Sequence, residues 1–553
     1  MQDASPSREQ VLVPDRTLVV ALRAEPKTIS AGSFTSSGIT VATPIRLFNA
    51  ALDLIDDHGV AMPYLAERLP QLNTDSWRVL PDGRMETRYQ LKPGLAWHDG
   101  TPFSAEDFTF AWRVYQVPDL GISALAPVSE VEEILAPDDR TVLVRWKGLY
   151  PEAGVSQIGG YLRGIMPFPR HILDGPFQEA RWETFTALSY WSRDYVGLGP
   201  YRLLRWEPGA FIEGVAFDGH ALGRPTIGRI KIVFIGDSST AMANILSGEI
   251  HVAVDSALQF QHGVELKRLW DSSGEGVVLT HVASWRTIFA QHRSELSTPP
   301  AIRDARSRRA LAHAIDRGSL NDAVWDGQGI IANTFFAPSS YFFPQIDEAT
   351  IKYPYDLRRG EQLMETLGFA RAADGVWTSP VDGKLELTLT TGSASARNDI
   401  ERSVLASGWR QAGFGVQETV IGTAQALERE SQATFPSLLV TGTGLSERNL
   451  IDSFASIAIP SAANRWGGEN KGGWSNPVYD RVRDAFARTL DADDQVRQRV
   501  QMARLLSEEL PAIPLYFGVN PIAHVASLRG VSQTSSPGTT GIFSWNVHVW
   551  ELN

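Results

Sequence analysis

Residues 95–115, LAWHDGTPFSAEDFTFAWRVY, place a His-Asp pair, two further carboxylates and a group of large aromatics in one short stretch. His98, Asp99, Glu106 and Asp107 are the side-chain types that acid–base catalysis or a metal site would use. Each acidic residue also has a local structural use. Asp99-Gly100 is a tight-turn signal, because Gly accepts the positive φ such turns demand. Ser104-x-x-Asp107 is a helix-start pattern with Ser104 as the expected N-cap. It puts Glu106 and Asp107 in the first turn, where the helix dipole favours carboxylates. Phe108, Ala111, Trp112 and Tyr115 then recur at i, i+3, i+4 and i+7, giving one apolar face. The stretch reads as scaffold, and His98 is the residue left without a local task.

Other chemistry-bearing patterns are absent. There is no P-loop, no H-E-x-x-H and no G-x-S-x-G elbow, and GQGIIA (327–332) follows a helical pattern where a dinucleotide fingerprint would follow a strand. The chain has no cysteine, which removes disulfides, thiolate metal sites and thiol nucleophiles together. No catalytic residue, metal site or cofactor is therefore expected. Of the 16 tryptophans, Trp409, Trp466 and Trp474 fall in polar, Gly-containing stretches where an indole could stack on a ligand.

The elements that would position any site are those of an α/β protein. With 553 residues the chain should form two to four domains, and 43% apolar with 21% charged residues is globular composition. The net charge of −12 comes without a basic stripe, which argues against a nucleic-acid partner. No apolar run approaches the ~20 residues that span a bilayer. The first 16 residues, MQDASPSREQVLVPDR, are polar, so a flexible tail is expected at 1–16. Either the protein is cytoplasmic or the sequence starts after a removed export signal; a lipoprotein whose anchoring cysteine lies upstream is one version of the second case. TLVVALRA (17–24) reads as a strand, 77–95 as a meander turning at Pro81-Asp82-Gly83, and 227–253 as a β-α-β unit whose helix has a Ser cap and stops at Gly248. Helices follow at RDARSRRALAHAID, with arginines opposite an apolar side, and at YDLRRGEQLMETLGF, capped by Asp356.

Taken in order, these motifs resemble those of bacterial extracytoplasmic solute-binding proteins of the oligopeptide/dipeptide type, family 5, which serve ABC importers. The resemblance runs from about residue 17 to the C-terminus. It is carried by DGRMETRYQLKPGLAWHDGTPFSAEDFTFAWR (82–113), GLGPYRLLRWEPG with Leu198 where the family usually has Thr, ILSGEIHVA, RSRRALAHAIDRGSL and GWSNPVYDRV. It implies a two-lobed α/β fold of the periplasmic-binding-protein type (class II) with mixed sheets and an extra inserted domain. The implied divisions are a discontinuous domain (17–47, 188–284 and 518–553), the inserted domain (48–187) and a second lobe (285–517). It further implies a periplasmic or extracytoplasmic monomer that passes a small-molecule, oligopeptide or oligosaccharide ligand to ABC transporter permease subunits.

Motif position then suggests ligand-binding residues: Phe34, Thr35, Ser36 and Ser37 after the first strand; Thr441, Gly442, Thr443, Gly444, Ser446 and Glu447 in VTGTGLSER; and Tyr516 and Phe517 near a segment joining the lobes. For the last two, ordinary strand core is an equal alternative. Peptide binders of this type carry a carboxylate for the ligand α-amine where Ser446 stands here, although a one-residue slip would bring Glu447 there. With Ser446 in place, a neutral hydroxyl-rich solute or a peptide lacking a free amine suits the cleft better than a short zwitterionic peptide. The alternative class is a multi-domain hydrolase acting on a carbohydrate, which would need a carboxylate pair in the cleft; none stands out.

Overall fold

The computed structural model describes residues 16–31, 42–120, 126–158, 161–338, 340–392, 396–422, 425, 428–444, 447–532 and 543–553. The expected tail (apart from Arg16), Phe34, Thr35, Ser36, Ser37 and Ser446 lie outside them. Arg16 donates to the Leu552 carbonyl at 2.7 Å, tying the start of the first strand to the last residues of the chain.

The largest sheet has eleven strands. At one end the β-branched Thr17–Leu22 lies parallel to both Arg229–Phe234 and Val252–Ala253, as expected of a β-α-β unit, and Tyr201–Glu207 pairs with Phe211–Ala216 across a Pro-Gly turn. At the other end Glu386–Gly392 lies parallel to Gly415–Ile421 and Leu438–Gly444. Two long antiparallel strands, Gly276–Ala290 and Ala512–Val525, join the ends. The 512–525 strand pairs with Val252–Ala253 at its C-terminal end, and the 276–290 strand pairs with Leu438–Gly444 through its second half. Each crossing strand thus belongs to both ends of the sheet, which is the two-lobed arrangement expected. A separate four-stranded sheet, running from Trp77–Val79 to Thr141–Trp146 in sequence, has its own core around Tyr89, Trp97, Phe108 and Trp146.

The stretch that raised the question of an active site belongs to this smaller sheet's surroundings. Its helix is Glu106–Tyr115, with Phe108, Ala111 and Tyr115 buried as the spacing requires. The N-cap is Ala105 in place of Ser104, and Asp107 supplies the reach-back contact. Asp107 is buried, accepting from the Ser104 N–H at 3.1 Å, the Trp97 indole at 3.2 Å and the Arg170 N–H at 3.1 Å. His98 ties this stretch to the chain at Gly197–Gly199. Its Nδ1 accepts from the Gly197 N–H at 3.1 Å, and its Nε2 lies 3.0 Å from the Gly199 carbonyl, so the neutral ring with its proton on Nε2 serves both. Gly199 is required here, because a Cβ would fall 2.4 Å from the Asn49 nitrogen. Elsewhere the β-α-β helix Ser238–Leu246 is capped by Asp237 in place of a serine. Residues 63–70, PYLAERLP, whose pattern between two prolines suggests a short helix, form none. Arg308, assigned by sequence to an exposed face, is buried and donates to the Leu510 and Ile302 carbonyls.

Burial pushes the pKa of His98 and His281 down to about 4 and that of His292 to about 3, from 6.5. The folded protein then binds fewer protons than the unfolded chain between about pH 4 and 6.5, so stability is complete above that window and is lost as pH falls through it. Thermal melts from pH 7.5 to 4.5 should show this loss. His98→Asn should cost about 1–3 kcal/mol at pH 7.5, by unpairing buried backbone groups, and lose less on acidification than the wild type. Equal acid sensitivity of the two proteins would remove His98 from this role.

Candidate ligand-binding site

The site is built on the crossing strands. Gly276–Ala290 changes register against its partner between Val282 and Ser284, a bulge that adds a residue at the midpoint of the crossing. Beyond it Ser284 faces Gly518, Trp285 faces Phe517, and Arg286 faces Tyr516. Directly opposed residues share a face of a sheet and neighbouring ones alternate. Trp285 and Phe517 therefore point together into an apolar core with Phe335 and Phe454, whereas Ser284, Arg286, Tyr516 and Gly518 lie on the opposite face. Both expected aromatics are buried: Tyr516 packs with Trp325 in one core cluster and Phe517 lies in another.

The polar face is covered by two helices, Arg317–Trp325 and Ala396–Gln411. Arg286 reaches the second helix, where Nε meets Glu401 Oε1 and Oε2 at 3.0 and 2.9 Å and Nη2 meets Asn398 Oδ1 at 2.7 Å. The Glu401 side chain is 0% exposed and that of Arg286 10%. Trp325, at the end of the first helix, packs edge-on against Tyr516 with ring centroids 5.7 Å apart. It also meets Phe260 at 4.9 Å, a residue of the helix that precedes the crossing. Gly518 makes room for this packing, since a Cβ there would lie 2.8 Å from Ser284 Oγ and 3.2 Å from Trp325 Cζ2. The guanidinium carbon of Arg397 lies 5.3 Å from the Trp325 ring centroid, in cation–π range.

The VTGTG segment forms the strand beside this face. Gly444, Thr443, Gly442 and Thr441 pair with Ser284, Trp285, Arg286 and Thr287 in turn. Gly442 and Gly444 are exposed and Thr441 is half-buried, so this strand presents backbone to solvent beside Arg286. Glu447 is already committed: it forms an ion pair with Arg499, itself stacked 4.5 Å from the Phe342 ring centroid. Burial, against the pull of Arg499, raises the Glu447 pKa, and the Glu152 carboxylate across from it raises it further. Arg499 and Glu152, with Pro151, Ile451, Asp452 and Arg483, line a cavity of about 120 Å³. Two of the tryptophans proposed to stack on a ligand are core: Trp409 is fully buried in the Ala396–Gln411 helix and donates to the Leu311 carbonyl, and Trp474 packs on Tyr479. Trp466 is half-buried, in a left-handed turn.

Arg286, Trp325, Arg397 and Glu401 were not among the residues singled out by sequence. The available signal was positional: the Gly-Ser stretch after Glu386–Gly392 leads directly into a helix, and such strand-to-helix loops at the carboxyl ends of strands are where α/β sheets hold ligands.

Residues 67–449 match the family model described as bacterial extracellular solute-binding proteins, family 5. The chain belongs to this family. Curated relatives include the oligopeptide-binding protein AppA of Bacillus subtilis, 22% identical over 84% of this chain and 81% of that protein. The dipeptide-binding protein of Escherichia coli is 21% identical over 91% of this chain and 89% of that one. Among solved structures, an oligopeptide-binding protein of Thermus thermophilus complexed with a pentapeptide superposes with a TM-score of 0.72 at 21% identity, covering 97% of this chain and 96% of that one. NikZ of Campylobacter jejuni in complex with Ni(L-His) gives 0.74 at 20% identity, covering 98% and 100%. The fold is thus the two-lobed one of this family, and the carbohydrate-hydrolase alternative finds no support. The family is described as extracellular, and among the described residues no helix is long and apolar enough to cross a membrane.

The Arg286–Glu401 pair should be the stabilising centre of this binding protein's polar face. Glu401→Gln leaves a buried guanidinium without its counter-charge and should cost about 3–5 kcal/mol, measured by denaturant unfolding. The double variant Arg286→Met, Glu401→Leu should cost less than that, because it removes both charges. A single variant as stable as wild type would show that the pair carries no such burden.

Proposed function

We propose that this protein captures a peptide, or another small polar solute, between its two lobes outside the cytoplasm and delivers it to the permease subunits of an ABC importer. The observation that carries the reading is the pair of crossing strands with a polar, partly exposed face at their midpoint, in a chain of the solute-binding family. In such an arrangement a ligand touching both lobes stabilises the state in which they meet, by its greater affinity for that state. No chemical step is needed, and the protein acts as a binder with no catalytic residue.

Within this reading the lobes divide at the Ser284–Gly518 pair, so that 285–517 forms the second lobe. The core clusters support the division: those built around Trp325, Trp409, Trp285 and Phe454 draw almost wholly on residues after 284 and before 520. The first lobe then comprises 17–47, 188–284 and 518–553 with the inserted 48–187. The monomeric state and handover to permease subunits belong to the same proposal, as does a lipid anchor attached upstream. The names of the relatives, oligopeptide- and dipeptide-binding, make a peptide the first ligand to try.

A thermal-shift screen of the purified protein against short-peptide pools, sugars and metal–amino-acid complexes tests the proposal. A ligand at a hundredfold excess over its Kd should add about 2.7 kcal/mol of stability, a clear rise in melting temperature. We expect at least one peptide pool to give that rise and to be recovered chemically unchanged. Turnover of the ligand, or a rise with sugars alone, would overturn the peptide reading.

A further inference from the structure

Strand Val252–Ala253 lies in the parallel part of the large sheet, and the chain leaves it through a tight turn in which the Ala257 N–H donates to the Val254 carbonyl at 3.0 Å. Asp255 and Ser256, inside that turn, have φ of 47° and 64°. Residues other than Gly visit this left-handed region seldom, and then singly. The turn leaves the Asp255 carboxyl inside the protein, 2% exposed, against the start of helix Ala42–Phe48. Its Oδ2 accepts from the Thr43 N–H at 3.1 Å, whereas Oδ1 has no hydrogen-bond partner. Thr43 is also buried and brings its hydroxyl close enough to favour the carboxylate form, although Oγ1 makes no full hydrogen bond either.

No charged side chain balances this carboxyl among the described residues. Arg46, one turn along the same helix, faces Tyr64 and Asp53. His524 stands opposite Val252 on the crossing strand, and burial keeps it neutral at pH 7. His251, ahead of Val252, is kept neutral in the same way and accepts from the Val19 N–H. On the side of helix Ser238–Leu246, Asp237 caps that helix through the Thr240 N–H, and His262 lies 3.2 Å from Ser239 Oγ. Arg23 and Lys27, beyond the neighbouring strand, are exposed. The surroundings of Asp255 are thus burial and one threonine, and burial prevails: it pushes the carboxyl from 3.8 up to about 7.

The helix that Asp255 holds is fastened unequally at its two ends. At the C-terminal end Asn49 donates to the Ile29 and Ile45 carbonyls, both at 2.7 Å, and accepts from the Ala31 N–H at 3.1 Å, while Leu47 and Phe48 sit in the core. At the first turn, the hydrogen bond that ties the helix to the sheet among the described residues is the one from Thr43 to Asp255.

We propose that Asp255 is a proton-operated catch on this helix end. As the neutral acid it stays buried and holds the first turn of Ala42–Phe48 against the end of Val252–Ala253. Once ionised, with no counter-charge, it draws in water and releases that turn, because a group in this position gives up either its charge or its burial. Val252–Ala253 is hydrogen-bonded to the strand Ala512–Val525, so the catch lies one strand from the crossing. It needs no ligand and stands apart from the peptide reading. The folded state keeps a proton on Asp255 that the unfolded chain loses between about pH 4 and 7. Its contribution to stability is therefore complete below about pH 4 and lost as pH rises to about 7, the reverse of the buried histidines.

Hydrogen exchange of the wild type and Asp255→Asn at pH 6 and 8, corrected for the intrinsic rate, tests the catch on a peptide covering 42–48. Wild-type protection there should fall about tenfold from pH 6 to pH 8, as the ionised fraction rises from about a tenth to about nine-tenths. Asp255→Asn cannot ionise and should keep its protection within about threefold. Its melting temperature should also gain on that of the wild type over the same rise in pH. If Asp255→Asn does not fold, Thr43→Val serves instead: it removes the hydroxyl that favours the carboxylate, and the loss of protection should move to higher pH. Wild-type protection that holds at pH 8, an equal fall in Asp255→Asn, or a Thr43→Val midpoint at or below that of the wild type overturns the catch.

Discussion

The hydrogen-bond ladder between Gly276–Ala290 and Ala512–Val525 is the constraint on which the rest of the molecule depends. It runs from Gly276 opposite Val525 to Phe289 opposite Ala512, and each strand takes a neighbour from a different lobe at a different end. The lobes cannot separate without breaking this ladder, and they cannot tilt freely, because every paired residue holds its neighbour's direction. The ladder is irregular at two places, between Val282 and Ser284 and between Arg286 and Thr287, where local twist increases. Both irregularities flank the Ser284–Arg286 segment that carries the polar face.

The same bulge determines which side chains share each face of the crossing strands. Parity along a strand is strict, so inserting one residue before Ser284 decides that Arg286 and Tyr516 look one way and Trp285 and Phe517 the other. Without it, Arg286 would be driven toward Phe335 and Phe454, where no carboxylate awaits it, and Trp285 toward Glu401. The Arg286–Glu401 pair and the aromatic core behind it are alternatives on two sides of one register, and each makes the other register costly.

Much of the scaffold was legible in the sequence because it is specified locally. The turn at Asp99-Gly100, the helix at Glu106–Tyr115, the parallel unit spanning 229–253 and the cap at Asp356 each follow from residues within one or two turns of chain. The polar face was not legible, for a physical reason. Arg397 and Glu401 stand four residues apart on a helix, the spacing of an ordinary solvent-exposed pair. Only the fold brings Arg286, 115 residues earlier, to meet both oxygens of that carboxylate. Likewise Trp409 sits in a polar segment, yet its indole answers a carbonyl on another helix, a long-range use that no local pattern reveals. Thr441 to Gly444 are candidates by position in the family motif alone, and the structure sets them beside Ser284 to Thr287.

The location of the polar cluster also separates affinity from closure. Arg286, Trp325, Arg397, Glu401 and Tyr516 lie on or beside the crossing strands, and Trp325 also packs against Phe260 and beside Gly518. A ligand group held by this cluster alone would gain much the same energy whether the lobes were apart or together, and a ligand with equal affinity for two states shifts neither. Closure has to come from the remainder of the ligand, where it reaches the first lobe, and from contacts between lobes such as Leu490 on the core around Trp97 and Trp146.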